Sequence, residues 1–567
     1  MNILLIVVVS AIIFIFGYRF YAKLLLLGVF RPPAQTAERD TVTHELKHHH
    51  HPGITLGHHL GMLLTASTFT GVGVALYWGW MPAFLWILSA SVIAGACYAM
   101  GSFWLTQQDS ARSLGEWAGS ELGQHWREPV FVLVIIVLAI TASILLALAT
   151  HILSQYHGTI LGFTIFLWVA WQLGRHWNRH GEQTPFKATT LAMILILSGM
   201  ALSNLLPLAL TGVVQVNVAG NKLLTLNATI IWAVLLLVAA AFSLRKPVRR
   251  VLRPQSYLAA SLAGLLGVAT LLALVLQNPE FTAPEFGLLA GKKGWAPGAF
   301  PWLFLTLSSG AIAGFHLLVI RGISSRYVTG PASARRFGYG GALLEAGFAL
   351  VILMVFATTF TDGDAWKQGH EDWGYLTNLP AIIDTLIRGW SQRLTGLGLG
   401  KDFATILVAV SLLVLMTTTL DTCLRLLRQT LSRLACFRLQ TALGTEKRVF
   451  RASLLCIIVP AFWDLSGTGG LSLWTGYGPA QALLAVVGLA VLASRVPQQG
   501  LARFILAPAA VLAVLLAWGL GDCIYRSYLD GRWAALAAAL FGLTLLLGLL
   551  ILWIQRARGR KHLATGA

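Results

Sequence analysis

The chain has 567 residues, of which 56% are apolar and only 11% charged, and its mean hydropathy is +0.72. A soluble chain carries about 25% charged residues, so a large soluble domain is excluded. The long apolar stretches read as α-helical membrane spans, each needing roughly 20 residues to cross the hydrocarbon core. The formal net charge of +19 comes from 41 Lys+Arg against 22 Asp+Glu. These basic residues sit in short loops between apolar runs, which is the positive-inside pattern and not a nucleic-acid groove.

Asn2 to Phe16 is apolar, with no basic region before it and no small-residue cleavage site, and Arg19 and Lys23 follow. That predicts a retained first helix over 2–18 with its N-terminus outside. The polar loop 34–54 comes next and contains His48-His49-His50-His51. No Cys or carboxylate cluster completes a metal site there, so this tract is expected to be a solvated loop. Apolar runs then follow at 55–78, 80–105, 129–153, 158–173, 187–210, 226–243 and 256–276. The second half adds 299–321, 339–361, 402–424, 450–467, 473–493, 502–523 and 533–555, for about 15 spans in all. Asp384, Arg388 and Arg393 interrupt 380–398, which reads as an interfacial or re-entrant segment. The basic clusters, including Arg245-Lys246, Arg249-Arg250, Arg335-Arg336 and the tail from Arg556, all fall in loops that this count places inside. The acidic stretch from Asp362 to Asp372 falls outside. Five scattered cysteines form no CxxC pair, and no repeat or linker divides the chain, so 1–567 is expected to be one membrane domain.

Chemistry is expected where polar groups enter the spans. Thr65-Ala66-Ser67-Thr68-Phe69-Thr70-Gly71 crowds hydroxyls and glycine at membrane depth, with His58 and His59 ahead of it. Such a segment suits either a discontinuous helix lining a solute site or a closely packed helix. His316 lies inside an apolar run after Gly314-Phe315. Glu345 lies two turns beyond Gly338-Tyr339-Gly340-Gly341. Ionisable groups in a span face the bundle interior and either pair or titrate. Asp421 and Arg425 share a helix face and can pair, as a latch or a gate. Trp474 to Gln481 opens a span with glycines, aromatics and a polar Gln481, suiting a second broken helix or an interfacial anchor. No Walker, Rossmann, HExxH or GxSxG context is present, so uphill transport would draw on an ion gradient and not on ATP hydrolysis within this chain.

Taken in order, these stretches resemble the carbon starvation protein CstA family of bacterial membrane proteins. The matching residues are Leu56-Gly57-His58-His59, Gly79, Pro82, Arg112-Ser113-Leu114-Gly115-Glu116, Phe300-Pro301, Gly314-Phe315-His316, Gly338-Tyr339-Gly340-Gly341 with Glu345, Asp421 with Arg425, and Trp474, Tyr477-Gly478 and Ala480. The resemblance spans about residues 17–500, with extra helices at about 502–555. The chain departs from the family pattern at three places. Thr65-Ala66-Ser67-Thr68 and Gly71-Val72 replace Gly-Ala-Gly-Pro and Gly-Pro, Tyr98-Ala99 replaces a Gln-Asp pair, and Ile320 to Ser325 replaces Ser-Ser-Gly-Thr-Thr-Pro.

The resemblance implies an all-α polytopic protein of the LeuT-like, amino acid–polyamine–organocation architecture with discontinuous helices. It also implies uptake of short peptides or pyruvate by proton symport across the bacterial inner membrane during carbon limitation. On that reading Ser67, Thr68, Gly71, Gly314, Gly340, Gly341 and Gln481 bind the solute, and His58, His59, His316 and Glu345 couple protons. Asp421 and Arg425 form an inner gate. The expected partners are a small-molecule substrate, protons and the bilayer, with no nucleic acid, no cofactor and no metal. The departures from the pattern support an alternative, a non-transporting sensor or partner subunit.

Overall fold

The apolar runs fold into a helical bundle in which burial separates a centre from a lipid-facing rim. The computed structural model describes residues 2–30, 50–65, 67–108, 112–182, 185–208, 214–218, 221–226, 228–287, 297–311, 314–328, 331–370, 378–434, 455, 457–458, 461, 474–496 and 499–565. Among them, ten helices are long and apolar enough to cross a membrane, or eleven when one bent pair counts as a span.

Helix α1 (Ile3–Val29) opens the chain. It is followed by the bent pair α2 (Pro52–Leu63) and α3 (Thr68–Trp78), then α4 (Trp80–Gln108). The short α5 (Leu114–Glu121) starts with a capping box between Ser113 and Glu116, which satisfies two otherwise orphaned donors. Next come α6 (Gln124–Gln155), α7 (Thr159–His180) and α8 (Pro185–Leu205). After them stand α9 (Ala228–Leu244), α10 (Leu252–Gln277), α11 (Ala299–Ala311) and α12 (Gly314–Gly322). The remaining helices are α13 (Ala334–Ala357), α14 (Gly363–His370), α15 (Leu379–Thr395), α16 (Lys401–Leu431), α17 (Trp474–Arg495), α18 (Gln499–Leu529) and α19 (Trp533–Thr565).

Helix α16 forms the axis of the bundle. Its apolar window is 89% buried, against 22% for α1 and 28% for the windows in α8 and α19. It packs along α6 and also touches α10 and α15. The exposed Leu, Ile, Val and Trp side chains of α1, α8, α18 and α19 match a rim that meets lipid tails. One continuous apolar core runs from Ile3 in α1 to Leu549 in α19.

The structure corrects several expectations. The run at 299–321 is described as α11 and α12, and residues 312–313 between them lie outside the described residues. Most of 450–467 lies outside the described residues, so the count of about 15 spans is not reached among those described. Segment 380–398, expected to be interfacial or re-entrant, carries the helix α15 over Leu379–Thr395, which buries Leu379, Ile382, Ile383, Leu386, Ile387 and Trp390. Its charges are held laterally: Asp384 takes bonds from His151 and Tyr156, and Arg393 donates to the carbonyl of Thr358. The stretch from Trp474 continues as one helix and does not break. The all-α expectation has one exception, an antiparallel hairpin of β1 (Val214–Val218) and β2 (Asn221–Leu226). Its period-two pattern, Val-Gln-Val-Asn-Val followed by Ala-Gly-Asn, is a strand-and-turn signal.

The α2–α3 bend of 64° forms without the prolines of the family pattern. Leu64 leaves the helix with ψ 91° after a last turn from its N–H to the Leu60 carbonyl. The Thr419 hydroxyl of α16 lies between two carbonyls, that of Leu415 one turn back in its own helix at 3.0 Å and that of Leu64 at 3.2 Å, so it shares its proton with the acceptor left at the break. The amide of Thr68 bonds the Thr65 carbonyl at 3.0 Å and starts the next helical segment.

Candidate functional site

The bend places Thr68, at the start of α3, opposite Glu345 on α13 and His316 on α12. The Thr68 hydroxyl donates to Glu345 Oε1 at 3.4 Å, and Glu345 Oε2 lies 3.0 Å from His316 Nε2. All three side chains are at most 1% exposed. No Lys or Arg pairs with Glu345 among the described residues, so an imidazole and a hydroxyl are its polar neighbours. The 3.0 Å contact is an ion-pair distance and not an aligned hydrogen bond: both His316 ring nitrogens and Glu345 Oε2 are buried without a hydrogen-bond partner among the described residues.

His59 on α2 completes the cluster. Its Nδ1 bonds the Ser324 hydroxyl at 2.9 Å, its ring meets Phe103 edge-on, and its Nε2 is buried without a partner among the described residues. Gly341 gives this ring its room, since a Cβ there would stand 3.0 Å from His59 Cδ2 and 3.3 Å from Nε2. The site thus combines one carboxylate, two imidazoles and a hydroxyl in a water-poor interior. Such groups can exchange a proton and accept hydrogen bonds from a solute.

Other residues expected at the site have different roles. Gly71 and Gly314 are packing positions, the first against the Thr306 carbonyl and the second against Leu484 and the Gln481 backbone. Gln481 accepts from the Phe315 amide at 3.0 Å and so caps α12, while its Nε2 is buried without a partner among the described residues. Gly340 turns toward Tyr18 of α1 and away from the cluster. The Ser67 side chain lies outside the described residues. His58 belongs to a separate group, where it bonds the Ser256 hydroxyl beside Tyr327.

Asp421 and Arg425 do pair, at 3.0 Å and buried. Arg425 also donates to the carbonyls of Ser243 and Lys246, and Arg428 donates to that of Leu244. The two arginines therefore satisfy the orphaned carbonyls at the C-terminus of α9, which fixes that helix to α16.

Sequence reasoning missed a second ionic cluster at the base of α2. Arg253, fully buried, binds Glu182 through Nε at 2.8 Å and Nη2 at 2.9 Å, and its guanidinium lies 4.1 Å from the centroid of the Tyr327 ring. Glu182 also takes His50 Nδ1 at 3.3 Å and the His51 amide at 3.1 Å. His51 in turn caps the first turn of α2. His50 is thus tied into the protein, contrary to the expected solvated loop, while His48 and His49 lie outside the described residues. Burial of Glu182 opposes ionisation, but the hydrogen bonds from His50 and Arg253 and the Arg253 charge outweigh it and hold the carboxyl at about 2. Glu182 stands alone among basic residues in 174–186, and that isolation was the available signal. Ser324, Thr419 and Tyr98 are three further residues whose partners lie far away in sequence. Tyr98, in place of the family's Gln-Asp, donates to the Gly314 carbonyl at 3.2 Å.

Known proteins share this architecture. Two mutant forms of the Eremococcus coleocola manganese transporter superpose with a TM-score of 0.50 over 94% of this chain and 98% of theirs, at 13% identity. That likeness is one of fold and agrees with the LeuT-like arrangement. The peptide transporter CstA of Mycobacterium tuberculosis is 25% identical over 369 residues, covering 63% of this chain and 46% of that one. The pyruvate/proton symporter BtsT of Escherichia coli is 26% identical over 376 residues, covering 63% and 49%. The chain spans about half the length of these curated relatives. The model of the carbon starvation protein CstA family matches residues 2–372, which is more than half of the 567, and the match stops short of Asp421 and the stretch from Trp474. The chain therefore belongs to the carbon starvation protein CstA family.

Proposed function

We propose that this chain is a secondary active transporter of the bacterial inner membrane. It takes up a short peptide or a pyruvate-like carboxylate together with protons, in the setting of carbon starvation. The observation that carries the reading is the buried Glu345–His316 pair beside the α2–α3 bend, with Thr68 and His59 bordering it. A carboxyl and an imidazole in contact can hold one proton between them, and a second proton would make the pair cationic. The helix N-terminus at Thr68 favours an anionic solute group nearby. Loading a proton from one side together with an anionic solute keeps the buried charge small, and that is the physical basis of symport here. The family relatives named as a peptide transporter and a pyruvate/proton symporter support the two substrate classes.

Uptake of labelled pyruvate and of a labelled dipeptide into proteoliposomes, with and without an inward proton gradient, tests this reading. Accumulation of either solute above equilibrium that requires the gradient is the expected result. Folded protein that accumulates neither solute under the gradient contradicts it.

A further inference from the structure

We propose that the His180 end of α7, together with the link between α9 and α10, forms a binding surface for an anionic phospholipid headgroup. Trp168, Trp171, Arg175 and Arg179 fall at spacings of three, four and four residues, so they share one stripe of α7. The stripe runs over about 16 Å from aromatic to cationic. Trp168 is 53% exposed and Trp171 47%, and the Arg175 guanidinium lies 4.7 Å from the centroid of the Trp171 ring. Exposed indole rings one to two turns from arginines are the composition of a headgroup boundary, with the ring at acyl-carbonyl depth and the guanidinium at phosphate depth.

Packing brings a second cationic segment alongside. Gly174 sits against the Arg250 carbonyl, so closely that a Cβ would stand 2.3 Å from that oxygen. The Trp177 ring packs at a tilt against Tyr257 of α10, with centroids 5.5 Å apart, which places the end of α7 beside the link. Arg249 and Arg250 are exposed there, as are Arg175 and Arg179. No carboxylate pairs with any of these four arginines among the described residues. The nearest acidic group in sequence, Glu182, is buried and committed to Arg253 and His50, and Asp421 is committed to Arg425. The patch therefore carries uncompensated positive charge directly beside a lipid-facing aromatic surface, and guanidinium groups bind phosphate oxygens well. The charge selects a phosphate, and the adjoining exposed rings select one attached to acyl chains.

The test uses the full chain in detergent after delipidation, with phosphatidylglycerol or phosphatidylcholine added back and retained lipid read by native mass spectrometry. Wild type should retain phosphatidylglycerol over phosphatidylcholine by about tenfold or more, less so in high salt. The variant Arg175→Gln/Arg179→Gln/Arg249→Gln/Arg250→Gln should lose that preference. A variant that removes three tail charges, Arg556→Gln/Arg558→Gln/Arg560→Gln, should keep it. If the fourfold variant does not fold, Arg175→Gln/Arg179→Gln decides, with a reduced preference expected. Equal retention of both lipids by wild type, undiminished preference in the patch variants, or displacement of the lipid by millimolar inorganic phosphate would each overturn the proposal.

Discussion

Glu345 faces an imidazole and a hydroxyl, not a guanidinium, and this separates it from the structural carboxylates of the same protein. Glu182 and Asp421 each sit against a permanently charged arginine. The Glu345–His316 pair has no such fixed partner, and its net charge follows its proton content. Thr419 is the other decisive residue, because its hydroxyl answers the Leu64 carbonyl at the helix break. Thr419→Val removes the donor that the Leu64 and Leu415 carbonyls share and should lower stability by about 0.6 kcal/mol, the average for interhelical hydrogen bonds within a bilayer. Thr419→Ser should retain most of it, as thermal unfolding in detergent would read. At this scale the sequence disclosed which ionisable groups were unusual, since a Glu or His inside an apolar run stands out by cost alone. It did not disclose their partners. Ser324 and Thr419 meet His59 and Leu64 across long sequence separations, and nothing local in a Ser-Ser or a Thr-Thr-Thr run marks which hydroxyl will be the one used.

The bent pair α2–α3 and its base are the elements on which movement would act. The Glu182–Arg253 pair, with His50 and the His51 amide, ties the first turn of α2 to the α7–α8 loop and to α10. The Glu182 carboxyl lies at about 2 in the folded protein, below its value of about 4.3 in an unfolded chain. Its contribution to stability is thus fully present above about pH 4.3 and is lost as the pH falls through about 2. Glu182→Gln should be less stable than wild type at neutral pH, with a gap that narrows from about pH 4 downward in unfolding measurements. A gap that is constant with pH would mean that the charge of Glu182 contributes nothing. Hydropathy located nearly every helix because length and apolarity are chain-local properties. It missed the hairpin from Val214 to Leu226, a short-range feature that a helix-length window averages out. In α15 the charges Asp384 and Arg393 look like interruptions until His151, Tyr156 and the Thr358 carbonyl are seen to hold them.

Over the whole molecule, burial rises from the rim helices to α16, and the candidate site lies where α2, α3, α12 and α13 meet beside that axis. The bend of α2–α3 is anchored to α16 through Thr419, and Asp421 and Arg425 anchor α9 to the same helix a short distance along. One deeply buried central helix thus holds both the discontinuity and a neighbouring helix terminus. The family was readable from ordered short motifs, while the loss of the prolines pointed away from a bend that a hydroxyl from α16 nonetheless supports. We propose that, of the buried Glu345–His316 pair, Glu345 carries the coupled proton. This role is tested most directly by comparing wild type and Glu345→Gln in proteoliposomes for two activities: accumulation of pyruvate or dipeptide driven by a proton gradient, and gradient-free exchange of the same solute. Glu345→Gln should keep exchange and lose gradient-driven accumulation. Accumulation by Glu345→Gln that still follows the proton gradient as in wild type would contradict it.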